Sequence, residues 1–211
     1  MRILAIADVH GTEEVKDVVN DQINEHAPDL VLVCGDITQF GPAEWAKKFL
    51  NSISQRTFAL PGNCDPHEVV NAIDQSKATL LHGKKEDLNG IIFVGLGGSN
   101  PTPFGTPFES SEDEIYTTLD NLMVENAVLA VHAPALGHLD KTSSRSGLGS
   151  KAISDIVKKY SPRLVVSAHI HEARGVEKDD ETTYVNPGPA SMGYAAVIDI
   201  NGVINADLIG I

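Results

Sequence analysis

Seven side chains of the kinds that bind metal ions stand at or just past the ends of short apolar runs in this sequence. They comprise two aspartates, one asparagine and four histidines: Asp8, Asp36, Asn63, His10, His132, His169 and His171. Mixed oxygen and nitrogen ligands suit ions such as Mn, Fe and Zn, whereas a structural zinc site uses thiolates. The residue types therefore predict a metal centre.

The apolar runs have the length and composition of buried strands. They are rich in Val, Ile and Leu, are bounded by turn residues, and span residues 2–7, 30–34, 57–60, 128–131 and 164–168. In open α/β sheets the carboxyl ends of the strands meet along one crevice. We therefore expect the runs to carry their polar residues to a single site.

Helical patterns follow most of these runs. They cover about residues 13–26, where Thr12 can cap the first turn, segments that begin at Pro42 and Pro66, and later about 112–125 and 151–160. Strands that alternate with helices pair in parallel, whereas an Asn-Gly turn near residue 90 and turn residues after 173 predict antiparallel strands. The sequence therefore predicts an α/β fold that mixes both kinds of pairing.

The bulk composition excludes several classes of protein. The 211 residues fit one domain over 1–211, and the formal net charge of −13 disfavours a nucleic-acid binder with a basic face. Two cysteines, Cys34 and Cys64, are too few for a disulfide framework. Because no apolar stretch has the length of a signal-peptide core or a membrane span, we expect a cytoplasmic protein that does not enter membranes.

The local spacing of the ligands favours two ions over one. Asp8 with His10, and His169 with His171, are pairs at positions i and i+2 that would share a face if the backbone is extended. Asp36 follows a glycine that lets the backbone turn, and its two carboxylate oxygens can bridge two ions. Seven ligands exceed the needs of one tetrahedral ion but suit two ions about 3.5 to 4 Å apart.

The order of the motifs DVH, GDIT, PGNCD, VHAP and AHIH resembles the calcineurin-like metallophosphoesterases over residues 1 to about 190. The stretch GLGGSNPTPFGTP and the later NPGP resemble a branch of predicted phosphoesterases related to cyclic-nucleotide phosphodiesterases. Each motif alone is common, but the ordered set is highly specific. The resemblance implies a four-layer αββα sandwich, in which two mixed β-sheets are flanked by helices.

The resemblance also implies a role for each ligand and an activity. One ion would be held by Asp8, His10, Asp36 and His171. The other would be held by Asp36, Asn63, His132 and His169, so that Asp36 is the bridge. The implied cofactors are two divalent metal ions, with Mn, Fe, Zn and Ni as candidates. The implied activity is hydrolysis of a small phosphoester by a hydroxide bound to this dinuclear centre.

Cys64 stands where many members of that family carry a histidine that stabilises the leaving group. Because a thiol with a reference pKa of about 8.5 is a poor general acid at neutral pH, we expect a phosphodiester substrate. Hydrolysis of monoesters or nucleotides is the nearest alternative. A weakly active interaction scaffold of the same fold is an alternative of another class, against which the complete ligand set argues.

Further residues could support the site from beside it: Cys64, Asp65, Arg145 and Asn186. Asp65 could cap the helix that begins at Pro66 or orient a ligand, and both roles are equally supported. Arg145 is either a solvated side chain or a phosphate contact. Asn186 is a turn residue by composition, and only the resemblance places it near the site.

Other residues in the same loops are expected to be structural. Phe104 and Phe108 lie in a Gly-, Pro- and Ser-rich loop over residues 97–110. We expect both rings to close this loop over the core rather than to contact a substrate or a second copy. His82 is expected to be a satisfied polar residue, like the other histidines outside the ligand set. The oligomeric state stays open, a homodimer included.

Overall fold

The computed structural model describes residues 1–179 and 181–211, which form two six-stranded β-sheets and their flanking helices. The strands are β1 (Arg2–Ile6), β2 (Leu30–Cys34), β3 (Thr57–Leu60), β4 (Thr79–Leu80), β5 (Lys84–Leu88), β6 (Ile91–Leu96), β7 (Val128–Val131), β8 (Leu164–Val166), β9 (Gly175–Lys178), β10 (Thr183–Asn186), β11 (Tyr194–Asn201) and β12 (Val203–Gly210). The helices are α1 (Val15–His26), α2 (Ala43–Ser52), α3 (Glu68–Asp74), α4 (Glu112–Leu122) and α5 (Lys151–Tyr160).

Each sheet has a parallel centre, with antiparallel strands at one edge of the first sheet and at both edges of the second. The first has the order β12-β11-β1-β2-β3-β4, in which β1 to β4 are parallel and β11 runs antiparallel to β1. The second has the order β5-β6-β7-β8-β10-β9, in which β5 and β9 are the antiparallel edges. Antiparallel pairing of the C-terminal strands is right for β9 with β10 and for β11 with β12. On its other side β10 pairs in parallel with β8, because β9 takes the sheet edge and returns the chain parallel to β8.

Three apolar layers explain why the central strands are apolar throughout. Ile3 and Ala5 of β1 face the layer between the two sheets, whereas Leu4 and Ile6 face α1, α2 and α3. A third layer packs α4 and α5 on the outer face of the second sheet. Because successive side chains of a strand point to opposite faces, a strand covered on both faces needs apolar residues at every position. The predicted four-layer αββα sandwich is confirmed.

The helices begin and end close to the predicted positions, with local differences. α1 starts at Val15, and Thr12 does not cap it, because the N-cap position falls at Glu14. α4 starts with a capping box in which Ser111 and Glu114 exchange hydrogen bonds. It ends before residue 125 because Met123 turns to an extended conformation and is buried. None of the helices in the described part of the chain has the length and apolarity that crossing a bilayer requires.

His82 has the structural role expected of it. Its Nδ1 accepts a hydrogen bond from the Gly97 N–H at 2.9 Å, and its ring packs against Phe108. Burial lowers the pKa of His82 to about 4. Because Nδ1 must be unprotonated to accept that hydrogen bond, the folded protein favours the neutral ring.

We expect His82→Gln to reduce the loss of stability on acidification. A histidine whose pKa falls from 6.5 to about 4 on folding contributes stability that is fully present above pH 6.5 and is lost as the pH falls towards 4. Glutamine keeps an acceptor for Gly97 but does not titrate. Between pH 7 and pH 5 the wild type should lose about 2 kcal/mol more unfolding free energy than the variant. Urea denaturation in chelator measures both losses, and equal losses would contradict the assignment.

Candidate metal centre

The polar residues that follow the parallel strands meet at the carboxyl edges of the two sheets. The first sheet supplies Asp8 and His10 after β1, Asp36 after β2 and Asn63 after β3, and the second sheet supplies His132 after β7 and both His169 and His171 after β8. Parallel neighbours end on the same side of a sheet, so ligands far apart in sequence become neighbours in space. The structure brings all seven predicted ligands together.

Asp8, His10 and His171 form one cluster. Ligand atoms of all three lie within 4.8 Å of one another. The Nε2 atoms of His10 and His171 are 3.4 Å apart, and His171 Nε2 is 3.6 Å from Asp8 Oδ1. One carboxylate oxygen and two imidazole nitrogens that converge in this way suit a borderline divalent cation.

Asp36 joins that cluster to a second group around His132. Asp36 Oδ2 lies 3.9 Å from His10 Nε2, and Asp36 Oδ1 lies 3.5 Å from His132 Nε2. On the far side, His132 Nε2 is 2.9 Å from Asn63 Oδ1, and the ring centroids of His132 and His169 are 5.2 Å apart. The two carboxylate oxygens of Asp36 therefore face different imidazoles.

Four of the seven residues have a left-handed backbone, with φ of 52° at Asp8, 50° at His10, 48° at Asp36 and 67° at His169. The extended conformation expected for the two i, i+2 pairs is therefore wrong, and His171 begins a short 3-10 turn. The backbone turns at these strand ends. The directions of these side chains are therefore set by the turns, and not by the alternation of side chains along an extended strand. A left-handed conformation costs about 1 to 2 kcal/mol per non-glycine residue, and such strain is typical of functional sites.

Backbone hydrogen bonds and close-packed glycines hold these turns. The Asp8 N–H donates to the Gly35 carbonyl at 3.0 Å. A Cβ atom on Gly35 would lie 2.5 Å from His132 Nδ1. A Cβ atom on Gly62 would overlap the Asp36 backbone and carboxylate. Glycine is therefore required at position 35 for His132 of the second sheet to approach, and at position 62 for Asp36 of the neighbouring loop to fit.

The Asp8 carboxylate gives the most direct indication of a cation. Both of its oxygens are buried, and within the described residues neither has a hydrogen-bond partner. A buried carboxylate without donors is costly, and buried charges in proteins are paired or coordinate metals. Because carboxylate and imidazole groups surround it, the residues present fit a bound divalent cation.

The ionisable side chains shift one another's pKa values. Burial has the largest single effect on His132 and would lower its pKa, but the charge and hydrogen bond of Asp36, together with the Asp8 charge, outweigh burial and raise that pKa to about 9. Burial alone would raise the pKa of Asp36, but the nearby imidazoles, His132 foremost, lower it. Burial, followed by the His132 charge, lowers the pKa of His169 to about 4. At pH 7 Asp36 is thus ionised and His169 neutral, as metal binding needs, whereas His132 carries a proton that a bound cation would have to displace.

Asp65 holds the loops that carry Asp36 and Asn63. Its carboxylate accepts hydrogen bonds from the Ile37 N–H at 3.0 Å, the Thr38 N–H at 2.7 Å, the Gly62 N–H at 2.8 Å and the Thr38 hydroxyl at 2.8 Å. The helix-capping role is wrong, because α3 has no side-chain cap. The side chain instead joins the residues after β2 to those after β3.

Two polar contacts orient the histidines. His132 Nδ1 lies 2.9 Å from the Cys34 carbonyl, so the other ring nitrogen faces the site. Asn186, at the end of β10, is buried and donates from Nδ2 to the Ile170 carbonyl at 3.0 Å. Since that carbonyl lies between the two C-terminal histidines, Asn186 supports their backbone without contacting either ring.

Cys64 lies beside the ligands, and Arg145 lies at the rim. Ligand atoms of Cys64, His10 and Asp36 are within 4.8 Å of one another. Burial, followed by the Asp36 charge, raises the pKa of the Cys64 thiol, so the sulfur stays protonated at neutral pH. Arg145 is exposed and lines a cleft that His169 also lines.

Sequence reasoning missed Thr106 and Glu109. The Thr106 hydroxyl accepts a hydrogen bond from Asn63 Nδ2 at 3.1 Å, which turns the amide oxygen towards His132. Glu109 accepts from the Thr106 N–H at 2.7 Å and fixes that threonine. The only available signal was chemical, because an asparagine that uses its oxygen as a ligand needs an acceptor for its nitrogen.

Phe104 and Phe108 differ from each other in position. Phe108 is 6% exposed and packs on His82, so it closes its loop over the core as expected. Phe104 is 84% exposed, so the same expectation is wrong for it. The carboxylate of Glu109 organises the loop from within by accepting hydrogen bonds, which leaves the Phe104 ring in solvent.

A cluster of carboxylates and imidazoles at the strand ends of an αββα sandwich has the donor set that a divalent cation needs. The family described as calcineurin-like phosphoesterase matches residues 1–173, and the chain belongs to that family. The resemblance that the motifs carry is therefore confirmed at the level of the family.

Individual similarities agree with this membership. The chain is 35% identical over 205 residues to an uncharacterised protein of Methanocaldococcus jannaschii, an alignment that covers 90% of this chain and 89% of that protein. It is similar in fold to a solved Thermus thermophilus protein, with a TM-score of 0.76, 14% identity and coverage of 99% and 98%. It is also similar to a dimetal phosphatase from Danio rerio, with a TM-score of 0.65, 11% identity and coverage of 100% and 96%.

Asp65→Asn is expected to destabilise the protein. Asparagine keeps one acceptor oxygen but turns the other position into a donor that faces backbone N–H groups. Losing buried, charge-assisted hydrogen bonds should lower the free energy of unfolding by about 2 to 3 kcal/mol. Urea denaturation measures the loss. The matched control is Asp207→Asn on the exposed face of β12, which should change stability by less than about 0.5 kcal/mol. A loss no larger than that of the control would refute the role of Asp65.

Proposed function

We propose that this protein hydrolyses phosphoesters, preferably phosphodiesters, with water that two divalent cations activate. The observation that carries the proposal is the position of Asp36, whose two oxygens lie 3.5 and 3.9 Å from the Nε2 atoms of two different histidines. Membership of the calcineurin-like phosphoesterase family supports a phosphoester substrate. The Danio rerio neighbour is described as a dimetal phosphatase, which supports paired ions.

In this proposal the ligands divide between the cations as the resemblance to the family implies. One cation would be held by Asp8, His10, Asp36 and His171, and the other by Asp36, Asn63, His132 and His169. Manganese, iron, zinc and nickel all suit this mixture of oxygen and nitrogen donors. When bound, paired divalent cations lower the pKa of water and neutralise charge on the phosphoryl oxygens.

The chain's own contribution is to hold these groups in fixed positions before substrate binds. Burial keeps His169 neutral, and the Cys34 carbonyl orients the His132 ring. Asp65 accepts hydrogen bonds from the loop that carries Asp36 and from the neighbouring loop that carries Asn63, so it fixes both loops. Ligands held in this way need little rearrangement during the reaction, which is the main route by which a rigid site lowers a barrier.

Electrostatics also support an anionic substrate at this cleft. A chain with a net charge of −13 repels phosphate anions unless the binding site is locally positive. Two divalent cations would outweigh the buried carboxylates of Asp8 and Asp36. Arg145 adds a positive charge at the rim of the cleft.

The preference for diesters rests on Cys64. Its raised pKa makes the thiol a still weaker proton donor than a free cysteine, so the departing oxygen lacks an imidazole acid from this position. Hydrolysis of phosphomonoesters is the second candidate, which the description of the Danio rerio neighbour as a phosphatase favours. An interaction scaffold explains less, because it gives no role to the buried carboxylates and imidazoles that meet at this site.

Asp36→Asn is expected to reduce metal binding more than loss of a ligand to one ion. Because Asp36 contributes to both proposed ion sites, its change should lower the content from about two ions per chain towards none. His171→Gln is the matched comparison and should retain about one ion. Elemental analysis after gel filtration counts the ions. Two tightly bound ions and normal turnover in Asp36→Asn would remove the bridging role.

The rate of ester hydrolysis by the wild-type protein should depend strongly on the pKa of the leaving group. If Cys64 donates no proton, nitrophenyl esters should react much faster than alkyl esters, because the nitrophenolate leaves without protonation. Cys64→His should flatten this dependence by supplying an imidazole acid. Rates across a series of esters of graded leaving-group pKa measure the slope. A wild-type slope as shallow as that of the variant would mean that another group protonates the leaving oxygen.

A further inference from the structure

We propose that the cleft between residues 100–106 and residues 142–148 binds the organic group of the phosphoester and selects a flat aromatic group of the nucleobase type. The inference rests on the proposed function, because the phosphoryl group is taken to bind at the metal centre. The proposal names a substrate class, one specificity residue, Phe104, and one phosphate-binding residue, Arg145, neither of which belongs to the ligand cluster.

The cleft is continuous with the ligand cluster. It has a volume of about 370 Å³, and His169 lines it together with the apolar residues Pro101, Pro103, Phe104 and Leu148. Small-molecule sites have volumes of about 300 to 1,000 Å³, so the cleft suits a compact group rather than a polymer or a long lipid chain. A phosphoester whose phosphorus lies beside His169 would extend its substituent into this space.

Phe104 offers an aromatic face from an ordered loop. Its side chain is 84% exposed. The Thr102 N–H and the Thr106 N–H both donate to Glu109, at 3.1 and 2.7 Å, and the Phe104 N–H donates to the Thr102 hydroxyl at 3.2 Å. An exposed ring on a loop held by these hydrogen bonds loses little conformational freedom when it stacks on a ligand. The contact therefore contributes more to affinity than the same ring on a disordered loop would.

The same loop is connected to the metal centre. The Thr106 hydroxyl that accepts from Asn63 Nδ2 at 3.1 Å belongs to the segment that presents Phe104. Glu109 therefore holds both the backbone on either side of Phe104 and the threonine that contacts the amide of Asn63. This connection sets the distance between the bound phosphoryl group and the stacked substituent.

The opposite wall carries Arg145. The Arg145 N–H donates to the Thr142 hydroxyl at 3.1 Å, and the Ser143 N–H donates to Glu172 at 2.8 Å, next to the ligand His171. Among the described residues that line the cleft, Arg145 carries the only fixed charge. A guanidinium matches two oxygens of a phosphate, so Arg145 is assigned to the phosphate that all substrates share.

The two residues therefore have different roles that an experiment can separate. Stacking of a base on an aromatic side chain contributes about 1 to 3 kcal/mol, which corresponds to roughly 5- to 150-fold in affinity. A sugar or alkyl group gains no such contact. Phe104 should favour only ligands with an aromatic group, whereas Arg145 should favour every phosphate.

The test compares two ligands that differ only in the base, thymidine 5′-monophosphate and 2-deoxyribose 5-phosphate. Calorimetric titration into the manganese-loaded protein should show the nucleotide binding about tenfold more tightly. Phe104→Ala and Phe104→Leu should both reduce this preference to less than about threefold, and leucine shows that the ring face matters rather than apolar area. Arg145→Met should weaken both ligands by the same factor. Val203→Ala, an exposed change on β12, is the control and should alter neither affinity.

The outcomes separate this inference from the proposed function. Equal binding of the two ligands by the wild type, or a preference that survives in both Phe104 variants, overturns the inference whatever the catalytic activity. Base preference that depends on Phe104 supports it. If that preference holds while the wild type hydrolyses no phosphoester with Mn, Fe, Zn or Ni, the cleft stands as a nucleotide-type binding site and the proposed hydrolysis is wrong.

Discussion

The burial of the Asp8 and Asp36 carboxylates beside four imidazoles is the interaction on which the rest of this structure depends. Asp36 accepts a hydrogen bond from the Cys64 N–H at 2.8 Å and faces two histidines, but Asp8 has no hydrogen-bond partner among the described residues. A buried charge without hydrogen-bond donors destabilises a fold, and among the described residues only the 3.6 Å contact of Asp8 Oδ1 with His171 Nε2 offers an ion pair to neutralise it. Divalent cations would do so for both carboxylates at once, which makes the site a single electrostatic unit rather than seven separate ligands.

The sandwich tolerates this unit because its stability is built elsewhere. Each central strand is buried on both faces by the layers between and outside the sheets, so the strand positions are fixed by packing. That rigidity lets the chain hold four left-handed residues at three strand ends, at a combined cost of several kcal/mol. Asp65 and Asn186 then form hydrogen bonds that fix the backbone between the strand ends and the ligands. Packing therefore supplies the free energy, and polar contacts supply the geometry.

Much of this arrangement could be predicted from the sequence, because apolar runs indicate buried strands and the polar residues after them indicate the edge of a sheet. The seven ligands, the two mixed sheets and the helix positions follow from those patterns and from the family motifs. The backbone conformation of Asp8 and His169 did not, because left-handed φ depends on tertiary hydrogen bonds rather than on local spacing. Thr106 and Glu109 were missed for the same reason, since their function arises from a contact with Asn63 over a long sequence separation. The predicted position of Phe104 was wrong because hydrogen bonds, rather than packing of its ring on the core, hold its loop.

The central claim is that one shared carboxylate holds two cations, and anomalous X-ray diffraction from crystals grown with manganese tests it most directly. The account predicts two manganese peaks about 3.5 to 4 Å apart, with one oxygen of Asp36 directed at each. It also predicts Asp8, His10 and His171 around one peak and Asn63, His132 and His169 around the other. A single peak at full occupancy, or two peaks that do not share Asp36, would contradict the account.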